Sequence, residues 1–196
     1  GFNISEDINK SEIFVLNSCT VTKSADKKAR NRLRSIKKNH PNIHLIATGC
    51  YPQRNKDEVL ELGIVDTIIK NEEKDNFIKI ISEKFPVNNK IENNYGVESI
   101  LLGRTRASIA IQKGCNQICS YCIVPKVRGP ENSIDPKEII NQIIYLESKG
   151  CKEVVLTGTQ LGTYGFDLKN YNLYKLLKEI LSKTKILRLR LSSVQP

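Results

Sequence analysis

Apolar positions along the chain alternate between two rhythms. Ile13-Phe14-Val15-Leu16 is a short unbroken run, the mark of a strand buried on both faces. Beyond Asn17-Ser18-Cys19, apolar Ala25, Ala29, Leu33 and Ile36 recur at spacings of three and four, the period of an amphipathic helix. Thr22 or Ser24 can cap its start, and Pro41 stops it. Residues 43–48 read as a second strand ending in Gly49-Cys50-Tyr51-Pro52. A short helix at 57–62, a strand at 65–69 and a helix over about 73–84 complete this half. The β-α-β-α-β-α order predicts a parallel sheet with right-handed crossovers. Cys19 and Cys50 then follow the carboxyl ends of parallel strands, the edge where open α/β sheets place ligands.

Residues 86–98 are polar, Asn-rich and aperiodic, and they read as a linker between an amino-terminal domain over 1–85 and a second domain over 99–196. In the second domain the pattern predicts strands at 108–112, 153–157 and 186–191, with helices at 136–149 and 173–183. Such βα units resemble part of a βα barrel, so the fold class is α/β throughout. No methionine occurs, and the chain stops just after an expected strand, so a piece of a longer protein is expected. No apolar run approaches the ~20 residues of a membrane span, and residues 1–10 lack the basic and apolar regions of a signal peptide. A cytoplasmic protein without a membrane partner is the expectation.

Charge changes the picture in one place. The net charge is +10. Residues 20–39 hold eight cations (Lys23, Lys27, Lys28, Arg30, Arg32, Arg34, Lys37, Lys38) against Asp26 alone, a local surplus of +7. A helix so charged beside Cys19 suits a phosphate backbone, and Lys23, Lys27, Lys28, Arg30 and Arg34 are the candidate RNA contacts. Bases of a single-stranded loop could be reached without breaking a duplex. A solvated helix face is the plain alternative.

Six cysteines are present. In a chain that alternates helix and strand, they suit metal or redox chemistry better than a secreted disulfide scaffold. Cys115, Cys119 and Cys122 are spaced CxxxCxxC directly after an expected strand. Thiolates in so compact a loop suit a 4Fe–4S cluster, and three of them leave one iron open. An open position can bind and activate a ligand. One that accepted the amino and carboxylate groups of S-adenosylmethionine would suit electron transfer into the sulfonium bond. Zinc is the rival, but no second CxxC-like pair follows, and His40 and His44 lie in the other domain. Thr157, Gly158, Ser192 and Ser193 fall at strand carboxyl ends, where hydroxyls and bare backbone could contact S-adenosylmethionine. Cys151, at a helix-to-strand turn, reads as structural. No catalytic residue is assigned beyond the cluster ligands.

The stretch from Cys115 to Pro130, CNQICSYCIVPKVRGP, resembles the cluster motif of the radical S-adenosylmethionine methylthiotransferases. LNSCTVT at 16–22 and TGCYPQ at 48–53 resemble that family's amino-terminal domain. LTG at 156–158 and RLSSVQP at 190–196 resemble its later barrel strands. Residues 21–30 are most similar to the branch that acts on threonylcarbamoyladenosine in tRNA. Gln195 and Ile134 depart from the family, which usually carries an acidic residue and an arginine there.

The resemblance implies a radical S-adenosylmethionine domain and a second 4Fe–4S cluster in the amino-terminal domain. Cys19 and Cys50 match two of its three ligands, and the third is expected before Gly1. It also implies a tRNA substrate, a methylthio group placed on an adenosine, and an electron donor such as a flavodoxin or ferredoxin. The cofactors would carry the difficult steps, and the protein would bind, orient and shield. Methylthiolation of isopentenyladenosine in tRNA or of a ribosomal protein aspartate are the neighbouring activities. A zinc-dependent RNA-binding protein is the alternative of another class.

Overall fold

The computed structural model describes residues 2–86, 105–192 and 194. Of the expected linker at 86–98, all but Pro86 lies outside them. The chain divides into two compact units, one built on a three-stranded sheet and the other on a four-stranded sheet.

The first unit runs β1 (Ile13–Ser18), α1 (Lys23–Asn39), β2 (His44–Gly49), α2 (Cys50–Arg54), α3 (Lys56–Glu61) and β3 (Thr67–Ile69). A 3₁₀ segment (Asn71–Asn76) and α4 (Phe77–Lys84) follow. The strands lie in the order β1-β2-β3, all parallel. Thr22 caps α1 by accepting a hydrogen bond from the Ala25 amide at 3.1 Å. The apolar stripe of α1 (Ala29, Leu33, Ile36) packs with Leu45, Ala47, Tyr51 and Val59 on one face of the sheet. Ile46 and Ile69 point to the other face and meet Ile81 of α4. Because β2 and β3 are added successively on the same side, right-handed crossovers put α1 and α3 on one face. The alternation Leu45, Ile46, Ala47 serves both cores.

The second unit runs β4 (Arg106–Lys113), β5 (Asn132–Ser133), α6 (Pro136–Ser148) and β6 (Glu153–Gly158); between β4 and β5 lies the short helix α5 (Val124–Arg128), of which Lys126–Arg128 group with the first unit. A 3₁₀ turn (Leu161–Thr163), α7 (Leu173–Lys183) and β7 (Arg188–Leu191) complete it. The order is β5-β4-β6-β7, with β4, β6 and β7 parallel and β5 a short antiparallel edge. Ala107, Ile109, Ile111, Val154 and Leu156 pack beneath Ile139, Ile143 and Leu146 of α6 and Leu176 and Ile180 of α7. Ser108 and Ala110 lie on the uncovered face. This is part of a βα barrel. Pro136 starts α6 where its missing amide hydrogen costs nothing, and the Asp135 side chain accepts from the Lys137 amide at 2.7 Å.

Each strand expected from the apolar pattern is present, with boundaries shifted by a few residues. Among the described residues, helices α2 and α5, strand β5 and the 3₁₀ turns at Ile8–Lys10 and Leu161–Thr163 were not expected. Helix α2 escapes a pattern reading because it contains Pro52. That proline sits in the first turn, where its amide hydrogen would have no helical partner. Leu33 is fully buried, so Leu33→Ala is expected to destabilise the first unit by about 2–5 kcal/mol. Urea unfolding monitored by circular dichroism would read this.

Candidate metal centres

The cysteine loop leaves β4 at Gly114 and returns at β5. Its two ends are fixed by backbone contacts. Gly114 adopts φ +68°, and a Cβ there would lie 1.9 Å from the Pro130 carbonyl oxygen. Only glycine allows that approach. The Cys115 amide donates to the Gly129 carbonyl at 3.3 Å, and the Glu131 amide donates to Asn116 Oδ1 at 2.9 Å. Inside the loop the Cys122 amide donates to the Cys119 carbonyl at 3.0 Å. The Gln117 amide lies 3.4 Å from Cys115 Sγ. Cys119 is exposed, while Cys115 and Cys122 are half-buried, and no disulfide engages any of them.

A buried glutamine ties this loop to the next strand end. Gln112, only 2% exposed, donates from Nε2 to the Gly114 carbonyl at 3.1 Å. Its Oε1 accepts from the Thr159 and Gln160 amides at 2.9 and 3.0 Å. A β-bulge between Ala110 and Gln112 sets Gln112 opposite Gly158. A methyl group on Gly158 would touch Gln112 Oε1 at 3.1 Å and Leu161 Cδ2 at 3.0 Å. The Thr157 hydroxyl donates to the Ile109 carbonyl at 3.2 Å, so its proton is already used within the sheet. Ser192 donates its amide to the Leu156 carbonyl at 2.9 Å, and Ser193 lies outside the described residues.

The segment after β6 is latched down on β5. The Ser133 amide donates to Asp167 Oδ2 at 2.7 Å, and the Gly165 amide donates to Ser133 Oγ at 2.8 Å. Burial alone would raise the Asp167 carboxyl, but hydrogen bonds from Ser133 outweigh it and hold it below the ordinary value. Fully buried Tyr164 donates its hydroxyl to the Ile134 carbonyl at 2.8 Å, and burial drives its phenol far above the usual range.

In the first unit, register pairs Ser18 with Gly49, so Cys19 and Cys50 are the next residues on two adjacent parallel strands. Gly49 has φ +99°, and a Cβ there would lie 2.3 Å from the Ser18 carbonyl oxygen. Cys50 is buried at the start of α2, and Cys19 is exposed. Tyr51, fully buried, is held by Arg30, whose guanidinium carbon lies 5.8 Å from the ring centroid. Arg30 Nη1 also donates to Glu58 Oε1 at 2.7 Å and to the Tyr51 hydroxyl at 3.4 Å. Lys37 is likewise engaged, with Asp66 at 3.0 Å. Lys23, Lys27, Lys28, Arg32, Arg34 and Lys38 are exposed. The expected RNA-contacting set therefore splits: Lys23, Lys27, Lys28 and Arg34 face solvent, whereas Arg30 is committed to its own unit.

Among the described residues no three His, Cys, Asp or Glu side chains are gathered closely enough to hold a metal ion. The three loop thiols lie in one loop but not at one point, and the first unit offers the pair Cys19 and Cys50. The donor chemistry nevertheless fits an iron–sulfur cluster. Residues 115–122 offer three free, soft thiols and no carboxylate or imidazole.

Comparison with known proteins matches two separate stretches of the chain. Residues 1–70 match the family described as "Uncharacterized protein family UPF0004", and residues 109–195 match the radical SAM superfamily. A threonylcarbamoyladenosine tRNA methylthiotransferase MtaB of Aquifex aeolicus is 36% identical over 99% of this chain and 50% of its own length. The chain thus matches a radical SAM domain over residues 109–195 and is similar along nearly its whole length to radical SAM methylthiotransferases.

MtaB of Bacillus subtilis is also 36% identical, over 94% of this chain and 43% of its own length. A tRNA-2-methylthio-N(6)-dimethylallyladenosine synthase of Dictyoglomus thermophilum is 35% identical, over all of this chain and 47% of its own. The chain thus spans about half the length of the curated relatives it matches. Among solved structures, the radical S-adenosylmethionine methyltransferase TsrM of Kitasatospora setae, with cobalamin and a [4Fe-4S] cluster bound, aligns with a TM-score of 0.56. It is 12% identical, over 90% of this chain and 43% of that one, a likeness of fold alone. Membership of the superfamily implies one 4Fe–4S cluster and S-adenosylmethionine.

Sequence reading missed Gln112, Asn116 and Glu131. A single polar residue in a strand pattern, such as Gln112 at the end of β4, was the available signal. Gly114→Ala forces both an unfavourable φ and a steric overlap with fixed backbone. It is expected to cost the second unit about 2 kcal/mol or more, read as a lower denaturation midpoint.

Proposed function

We propose that this chain is the cofactor-binding part of a tRNA methylthiotransferase that places a methylthio group on threonylcarbamoyladenosine beside the anticodon. The observation that carries this reading is the similarity to MtaB proteins over nearly the whole chain. Cys115, Cys119 and Cys122 hold the 4Fe–4S cluster, and Cys19 and Cys50 contribute to a second one. When bound, the first cluster supplies the electron that splits the sulfonium bond of S-adenosylmethionine.

The chain's own residues do the positioning. Gly114, Asn116 and the Gly129 carbonyl fix the ends of the thiol loop. Gln112 holds the Thr159–Gln160 backbone against it, in the space that Gly158 leaves by lacking a side chain; Thr157, Gly158, Ser192 and Ser193 make the S-adenosylmethionine contacts in this reading. Exposed Lys23, Lys27, Lys28 and Arg34 attract the tRNA backbone, while Arg30 braces the turn that carries Cys50. A flavodoxin or ferredoxin is the electron donor, and the cytoplasm is the compartment. No helix among the described residues is long and apolar enough to cross a membrane.

After anaerobic reconstitution with iron and sulfide and reduction by dithionite, Cys119→Ala is expected to lose S-adenosylmethionine cleavage. Cleavage at the parent rate would sink the assignment, and zinc without iron in freshly prepared protein would favour the RNA-binding rival. Mass spectrometry of tRNA nucleosides from a deletion strain is expected to show loss of methylthiolated threonylcarbamoyladenosine. Loss of methylthiolated isopentenyladenosine instead would favour the activity in the name of the Dictyoglomus relative.

A further inference from the structure

Glu131 has no part in the reading so far, yet it stands at the mouth of the thiol loop. β5 pairs with β4 so that Lys113 faces Asn132 and Gln112 faces Ser133. Extending the same antiparallel alignment by one step sets Glu131 opposite Gly114, the residue before Cys115. Its backbone is fixed there, because its amide donates to Asn116 Oδ1 at 2.9 Å. The neighbouring Pro130 carbonyl is the one packed against Gly114.

The side chain is left incomplete. Glu131 Oε1 is shielded from solvent and has no hydrogen-bond partner among the described residues. Leaving a buried carboxylate oxygen without a donor costs more than leaving a neutral group so. The other acids around this loop are spoken for in ways Glu131 is not. Asp167 accepts from Ser133, and Asp135 caps α6. The orphan oxygen therefore calls for a donor from outside the described residues, and an N–H group on a cationic ligand is the donor that best offsets the charge.

We propose that Glu131 is a binding residue that accepts a hydrogen bond from the amino group of S-adenosylmethionine. This rests on the reading of Cys115, Cys119 and Cys122 as the cluster ligands. The amino-acid end of the ligand belongs beside the thiol loop in that reading, and an amine held there keeps N–H bonds to offer. Glu131 then discriminates ligands that carry an amino-acid moiety from nucleosides that lack one.

The test compares parent protein with Glu131→Gln, which keeps shape and removes charge, after anaerobic cluster reconstitution. Equilibrium dialysis is run with S-adenosylmethionine, S-adenosylhomocysteine and 5′-methylthioadenosine, the last of which has the nucleoside but no amino group. Glu131→Gln is expected to weaken the first two by about tenfold or more and to leave the third and the iron and sulfide content unchanged, with a melting temperature no lower than the parent's. Equal loss for all three ligands, or no loss for any, overturns the proposal. If the parent itself takes up no iron and sulfide, the cluster reading fails and this inference with it. Should parent and variant hold equal iron and bind S-adenosylmethionine alike, only the role of Glu131 is lost.

Discussion

An irregular loop can present three thiols only if its two ends are held, and here the holding contact is backbone against backbone. Fixing each residue of such a loop costs about 1–2 kcal/mol of conformational entropy. Residues 115–123 have little regular structure to offset that cost. Gly114 lies so close to the Pro130 carbonyl that no side chain fits between them, and the Cys115–Gly129 and Asn116–Glu131 hydrogen bonds close the same neck. The thiols themselves are left without fixed partners of their own kind. That arrangement suits a ligand whose own bonds to sulfur complete the geometry.

Both cysteine-bearing edges use a glycine in the same way. Gly49 precedes Cys50 and Gly114 precedes Cys115, each with positive φ and each pressed on a carbonyl of another segment. In the first unit the described strands run in sequence order, so no reversal of direction opens a crevice of the doubly wound kind. The Ser18–Gly49 pairing instead sends two chains off neighbouring strands at the same level. In the second unit the linking is done by a side chain, Gln112. A buried amide with both ends satisfied is a rigid connector, and one with an end unsatisfied is a liability.

Most of the strands and long helices were legible because burial imposed a clear period. The stripe Ala29, Leu33, Ile36 and the run at Leu45–Ala47 could hardly be anything else. CxxxCxxC was legible because its spacing is particular. What could not be read were features set by contacts distant in sequence. Helix α2 is five residues long and contains Pro52, so it shows no helical period, and β5 is too short to show alternation. Arg30 looked like any other cation on α1 until Tyr51 and Glu58 were placed beside it. Glu131 carried no pattern at all, and only its missing partner marks it.

The commitment of Arg30 and Lys37 to internal partners has a thermodynamic corollary. A cation already paired with a carboxylate neutralises little phosphate charge, and so it displaces few of the cations condensed on an arriving polyanion. Of the eight cations between residues 20 and 39, six have no carboxylate partner among the described residues. The steepness with which added salt weakens any polyanion on this helix is therefore set by six side chains, not by the eight that composition suggests.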